Sequence, residues 1–173
     1  MVQPLYAVKK RPSLTKTILL ASLVAGTLDA LFAIASFTIS THSNPVIIFW
    51  YIASGALKSE PPIKDMLVAS SGTQAGYAIA GVLFHYFIAY AFTAFMFVVY
   101  PMLKKTFKNF VVIAIVYGIF VWLVMNYITL PLAFNGQMPT YTLKTILGVS
   151  YLIVAFGFVA GAFAAKYYKG ISR

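Results

Sequence analysis

The chain has 173 residues, of which 61% are hydrophobic and only 9% charged, with 13 Lys and Arg against 3 Asp and Glu and no cysteine. A soluble domain carries about 25% charged residues, and a soluble core of this size has no room for so much apolar surface, so the excess must face lipid. The missing cysteine excludes disulfides, thiolate metal sites and thiol catalysis. The net charge of +10 does not point to nucleic acid, because the basic residues flank apolar runs, where they act as topology signals and as contacts to anionic lipid headgroups.

Residues 1–16 form a basic tail carrying Lys9, Lys10, Arg11 and Lys16, with Pro4 and Pro12 arguing against one continuous helix. The apolar run behind it is too long for a cleavable signal, so it reads as a signal anchor that stays in the protein. The first span is predicted over 18–40, with a small-residue face of Ala21, Ala25 and Gly26 that admits a close neighbour. Its one charge is Asp29. Residues 41–72 form the longest connection. Within it VIIFWYIASGAL is apolar but too short to span, which predicts a re-entrant or interfacial helix, with Trp50 and Tyr51 suited to the membrane interface. The following KSEPPIKDML holds Lys58, Glu60, Lys64 and Asp65, and Pro61-Pro62 breaks any helix there.

The second span is predicted over 73–100 and contains no Asp, Glu, Lys or Arg; His85 lies near its middle. A basic loop with Lys104, Lys105 and Lys108 follows. The third span is predicted over 110–131, ending at Pro131, with Asn126 as its polar interior residue. Asn135-Gly136 signals a turn. The fourth span is predicted over 142–165, and Lys166, Lys169 and Arg173 close the chain. The fold class expected is therefore an all-α membrane protein, a four-transmembrane-helix bundle in a single domain, with a short re-entrant or interfacial helix after the first span. The GxxxG pairs Gly72/Gly76 and Gly157/Gly161 are predicted to pack helices, within the chain rather than between copies.

Ten Lys and Arg fall on the side of the two termini and the 102–109 loop, and three (Lys58, Lys64, Lys144) on the other. The positive-inside rule then places both termini in the cytoplasm. Membrane lipids, with anionic headgroups at the basic side, are the expected partners. A protein partner or homo-oligomer stays open.

Asp29 lies eleven residues before Ser40 and His85 twelve after Thr73, so at about 1.5 Å per residue the two are nearly level. Three readings of these groups stand side by side. In the first, Asp29 hydrogen-bonds backbone or hydroxyls and His85 is a satisfied neutral core residue. In the second, they form a proton-accepting pair facing a cavity, since a lone charge in the membrane is costly. In the third, His85 ligates a metal or haem. That reading is weakest: His42 sits far from His85 and no spacing such as HxxxH occurs. No metal and no cofactor is expected. Asn126 sits shallower than the pair and meets it only through water or a kink.

No Ser-His-Asp arrangement, phosphate-binding loop or carboxylate pair within a span is legible. The leading expectation is a non-enzymatic integral membrane protein with a structural or partner-binding role. A proton- or ion-linked transport or permeation module using Asp29 and His85 comes second. A lipid-binding protein or membrane enzyme using the 42–71 segment comes third.

Gly81-Val82-Leu83-Phe84-His85, Pro101 with its basic loop, Tyr117-Gly118, and Met125-Asn126 leading to Leu130-Pro131-Leu132 give residues 70–140 a pattern that resembles small uncharacterised bacterial inner-membrane proteins, the YagU-like domain-of-unknown-function family among them. The resemblance implies a bacterial inner (cytoplasmic) membrane location. It implies no reaction and no ligand.

Overall fold

The computed structural model describes residues 13–58, 63–134 and 143–171. The N-terminal basic tail up to Pro12, the Glu60 and Pro61-Pro62 stretch, the Asn135-Gly136 turn and Arg173 lie outside the described residues. Six helices follow one another: α1 Leu14–Thr41, α2 Val46–Leu57, α3 Ile63–Val68, α4 Ser71–Thr106, α5 Phe110–Ala133 and α6 over 143–171. Two of them carry π-helical stretches, Met125–Thr129 in α5 and Ile153–Ala160 in α6. Among the described residues there is no strand, and four helices are long and apolar enough to cross a membrane. The end of the bundle bearing residues 41–71 is called the loop end below, and the end bearing Lys104, Lys105 and Lys108 the basic end.

The second span, α4, is longer than its apolar run. It begins where the Ser70 side chain accepts the Thr73 N–H, and it passes through Pro101 to Thr106 rather than stopping at Tyr100. Proline in a helix leaves the carbonyl four residues back without its donor. That carbonyl belongs to Phe97, and the Tyr168 hydroxyl of α6 donates to it at 2.7 Å. The helix therefore continues because a side chain from its neighbour replaces the missing N–H. The turn is correspondingly short, with Asn109 capping α5 by accepting the Val111 N–H at 2.8 Å. α5 likewise runs past Pro131 to Ala133. Its last turns widen into the π stretch, in which the Leu130 N–H reaches back to Met125 O, an accommodation typical of a helix near proline.

Close approach depends on missing side chains. α6 packs against α1, α4 and α5. A Cβ at Gly157 would lie 2.1 Å from Ala114 O, one at Gly118 2.4 Å from Ile153 Cα, and one at Gly161 2.8 Å from Met96 Cε. Ala21, Ser22, Ala25 and Gly26 form the buried stripe of α1, and a Cβ at Gly26 would lie 2.9 Å from Ala89 Cβ on α4. Gly72 and Gly76 behave differently from the sequence expectation. Nothing lies within 4 Å of a Cβ at Gly76, and only the flanking Ser70 Oγ, at 4.0 Å, comes near one at Gly72. The physical reason is that α2 and α3 meet the first turns of α4 at Gln74, Tyr77 and Ala78 and not at these two glycines; the close crossing falls further along, at Gly81.

There α2 lies against α4. A Cβ at Gly81 would sit 1.9 Å from Phe49 O. Gly81 is ten residues into α4, about 15 Å along its axis. α2 therefore lies along α4 as far as Gly81 and does not merely cap its first turn. α2 and α3 share a small core of Ile47, Trp50 and Met66. Trp50, expected at the membrane interface, is 5% exposed and donates its indole N–H to Gln74 O at 3.0 Å. An indole buried on α4 needs a partner for its one donor, and the first turns of α4 supply it. Tyr51, the next residue round the helix, is exposed. Gln74 also donates to Met66 O at 2.9 Å, tying α3 down.

The main core lies toward the basic end: Met96, Phe97 and Tyr100 of α4, Ile113 and Tyr117 of α5, and Phe156, Ala160 and Ala164 of α6. The Tyr117 hydroxyl donates to Phe92 O, and Tyr100 stacks on Tyr168 at 5.9 Å. Toward the loop end α4 and α5 stand apart, and α2 fills part of the gap, with a Cβ at Gly55 reaching to 2.8 Å from Phe134. Leu19, Leu23, Leu83, Phe87 and Val98 are exposed apolar side chains on α1 and α4, as lipid-facing surfaces require.

Candidate functional site

The gap between α4 and α5 contains a cavity of about 70 Å³ whose walls include Asp29 of α1 and His85 of α4. The helix register brings these two together. His85 Nε2 lies 2.9 Å from Gly26 O. A carbonyl only accepts, so Nε2 carries the hydrogen and donates it. Gly26 is three residues before Asp29, about 4.5 Å along the axis. His85 thus bonds the backbone of α1 rather than the acid. Gly26 is what allows this, because α4 comes close enough there for a ring to reach a main-chain oxygen.

The Asp29 carboxylate makes no hydrogen bond and no ion pair among the described residues, while it remains within electrostatic reach of His85. The other walls are apolar: Ile52 from α2, Ile88, Ala89 and Phe92 from α4, Val121 and Met125 from α5, Leu152 and Phe156 from α6. A site needs roughly 10–15 Å³ and two or more polar partners to hold a water, so this cavity accepts more than one beside the carboxylate. The His85 ring is held on both sides, edge-on to Phe49 at 6.5 Å and to Tyr86 at 5.4 Å. The Tyr86 hydroxyl and Thr27 Oγ1 are 2.8 Å apart, a second polar link between α1 and α4.

A second space, about 250 Å³, adjoins the first. It lies between α2 and the loop-end third of α5, and Ile52, Ile88 and Met125 belong to the walls of both. Met125 and Thr129, the two ends of the π stretch, both face it.

Asn126 is not brought to the pair. Its amide donates to Trp122 O of its own helix at 2.9 Å, so it serves the backbone of the π stretch. Among the described residues no group of three His, Cys, Asp or Glu is placed to hold a metal ion. Ile52, Phe92, Met125 and Phe156 carry no sequence signal as site residues, because apolar residues that line a cavity and those that fill a core have the same pattern. Gly81 was visible in sequence only as an isolated glycine.

The fold and the cavity define a multi-pass membrane protein with a carboxylate and an imidazole in a buried space between its helices. No protein-family model matches the chain, and searches of curated proteins and of solved structures return no match.

Proposed function

We propose that the protein is a small proton- or ion-linked transport or permeation module of the bacterial inner membrane, with Asp29 and His85 as its exchanging groups. One observation carries this reading: the only acid within the four spanning helices faces a cavity with no hydrogen-bond partner, beside the only histidine within them. A carboxylate retained for structure alone would have its oxygens satisfied. An ionised Asp29 needs a cation in that space.

The geometry suggests how exchange proceeds. With Nε2 donating to Gly26 O, a neutral His85 keeps Nδ1 as its proton acceptor. A proton and a bound cation then compete for the same negative charge in the cavity. No other charged side chain faces the pair. From α2 comes Ile52, from α5 Val121 and Met125, from α6 Leu152 and Phe156. The nearby Tyr86 hydroxyl is engaged with Thr27.

The orientation that goes with this reading puts both termini in the cytoplasm, supported by the ten-to-three division of Lys and Arg. The resemblance to the YagU-like family over residues 70–140 supports only the location. A second reading, a structural role in holding α1 to α4, is favoured by the His85–Gly26 and Tyr86–Thr27 bonds.

The test is proton and cation flux in proteoliposomes under an imposed pH gradient. Flux is expected in the unchanged protein, lost in Asp29→Asn and altered in its pH profile in His85→Gln. Flux that survives both substitutions would sink the reading, and so would its absence from folded unchanged protein.

A further inference from the structure

The two adjoining spaces differ in chemistry. The smaller has one acid and one imidazole in its wall; the larger is apolar apart from Tyr51 and Thr129. Ile52, Ile88 and Met125 wall both, so the two lie side by side, and a molecule that fills both must pass between these flexible side chains. Resting on the reading that Asp29 and His85 form a site, we infer that its ligand is a lipophilic organic monocation, with an ammonium head beside Asp29 and an apolar body in the larger chamber between α2 and α5.

Charge selects the head. Asp29 is the sole acid in the spanning helices, and its carboxylate has no partner among the described residues. An anionic amphiphile meets repulsion there. A lipid acyl chain fills the larger chamber and leaves the carboxylate unpaired. A bare divalent ion requires roughly six oxygen ligands, and among the described residues no second carboxylate is near. A substituted ammonium needs only one carboxylate and tolerates apolar walls. It also gains from aromatic faces, and Phe92 and Phe156 stand edge-to-face at 5.9 Å in the same wall.

Volume sets the body. The chamber holds about 250 Å³, against the roughly 150 Å³ of a cavity that takes up benzene. It therefore accepts a ring with a short linker. The π stretch supports this placement, since such irregular turns recur at functional sites and both of its ends face the chamber.

The probe is radiolabelled phenethyl-trimethylammonium, measured by equilibrium dialysis against the protein in nanodiscs with empty nanodiscs as the blank. Its uncharged carbon isostere, (3,3-dimethylbutyl)benzene, is measured alongside. Saturable binding at one site per chain is expected for the cation. Asp29→Asn, a substitution of equal size, should weaken it by about 30-fold or more, as for one partner of a buried charge pair. Ile52→Phe, which fills the junction, should weaken it by roughly tenfold. Thermal melting confirms that each variant is folded. Equal affinity for the isostere, unchanged binding in Asp29→Asn, or uptake no greater than the blank each overturns the inference. A retained phospholipid that native mass spectrometry finds in the chamber and the cation does not displace overturns it too. Binding without flux leaves this inference standing and removes the transport reading. Proton flux without binding does the reverse.

Discussion

Replacing Gly81 with alanine tests whether α2 is docked into the bundle. The new Cβ would lie 1.9 Å from Phe49 O and 2.5 Å from Phe49 C. Ordinary contact begins near 3.4 Å, so α2 must withdraw by about 1.5 Å, the difference of the two distances. Both obstacles are backbone atoms, so no side-chain rotation relieves the clash. A gap of 0.5–1 Å already forfeits roughly a quarter to a half of the dispersion attraction, and overpacking costs about 1–3 kcal/mol. With a backbone obstacle the upper end applies, about 3 kcal/mol. The control is Gly76→Ala, five residues earlier on the same helix, where a Cβ meets nothing within 4 Å. That change should be neutral, or stabilising by up to about 1 kcal/mol through helix propensity. Unfolding in mixed micelles measures the total. A Trp122→Phe background leaves Trp50 as the only tryptophan, and its emission should shift to the red as the Gln74 bond and burial are lost. If Gly81→Ala melts like Gly76→Ala and Trp50 emission stays put, α2 does not lie against α4 as described.

Tyr168→Phe should cost about 1–2 kcal/mol, because it orphans the Phe97 carbonyl at the proline gap. The same change in a Pro101→Ala background should cost far less, since the restored N–H takes that carbonyl; equal costs in both backgrounds would refute the compensation. Thr93 is fully buried with its hydroxyl unpartnered, so the isosteric Thr93→Val should raise the unfolding free energy by about 1 kcal/mol or more. Tyr86→Phe removes the link to Thr27 and should cost about 0.6 kcal/mol, the average for such bonds between membrane helices, with ligand binding at Asp29 retained. Because the chain has no cysteine, a single thiol placed in the 107–109 turn reports topology cleanly. Labelling by an impermeant maleimide is expected only after the cell is opened.

The four spans and the short helix after the first were legible because composition and run length suffice for them. Their ends were less so. Pro101 and Pro131 read locally as stops, and what carries the helices past them is the Tyr168 hydroxyl, seventy-one residues from the Phe97 carbonyl it serves, and a π turn, neither of which a local pattern contains. The GxxxG spacing misled at Gly72 and Gly76 because spacing says only that a close approach is permitted. Which glycines are used depends on where the partner crosses: Gly81, absent from any such pair, has the tightest crossing on α4, whereas Gly157 and Gly161 do face neighbours. Trp50 looked interfacial by residue type, and its burial followed from Gln74 offering an acceptor. Asp29 and His85 were found by rarity, and their near-level depth by counting. Counting does not show which partner each group takes: His85 bonds Gly26 O, and Asp29 lines the cavity wall.

The distribution of tyrosine hydroxyls and void space makes the bundle unequal in stiffness along its length. Toward the basic end, Tyr117 bridges α5 to α4, Tyr168 bridges α6 to α4, and Tyr100 stacks on Tyr168. Those cross-links clamp three helices above a filled core. Beyond Phe92 toward the loop end lie both cavities, walled by α1, α2 and α6 as well as by α4 and α5. An end with less packing to lose opens at lower cost, so amide exchange is expected to be faster in α2 and the loop-end turns of α5 than around Tyr100, Tyr117 and Tyr168.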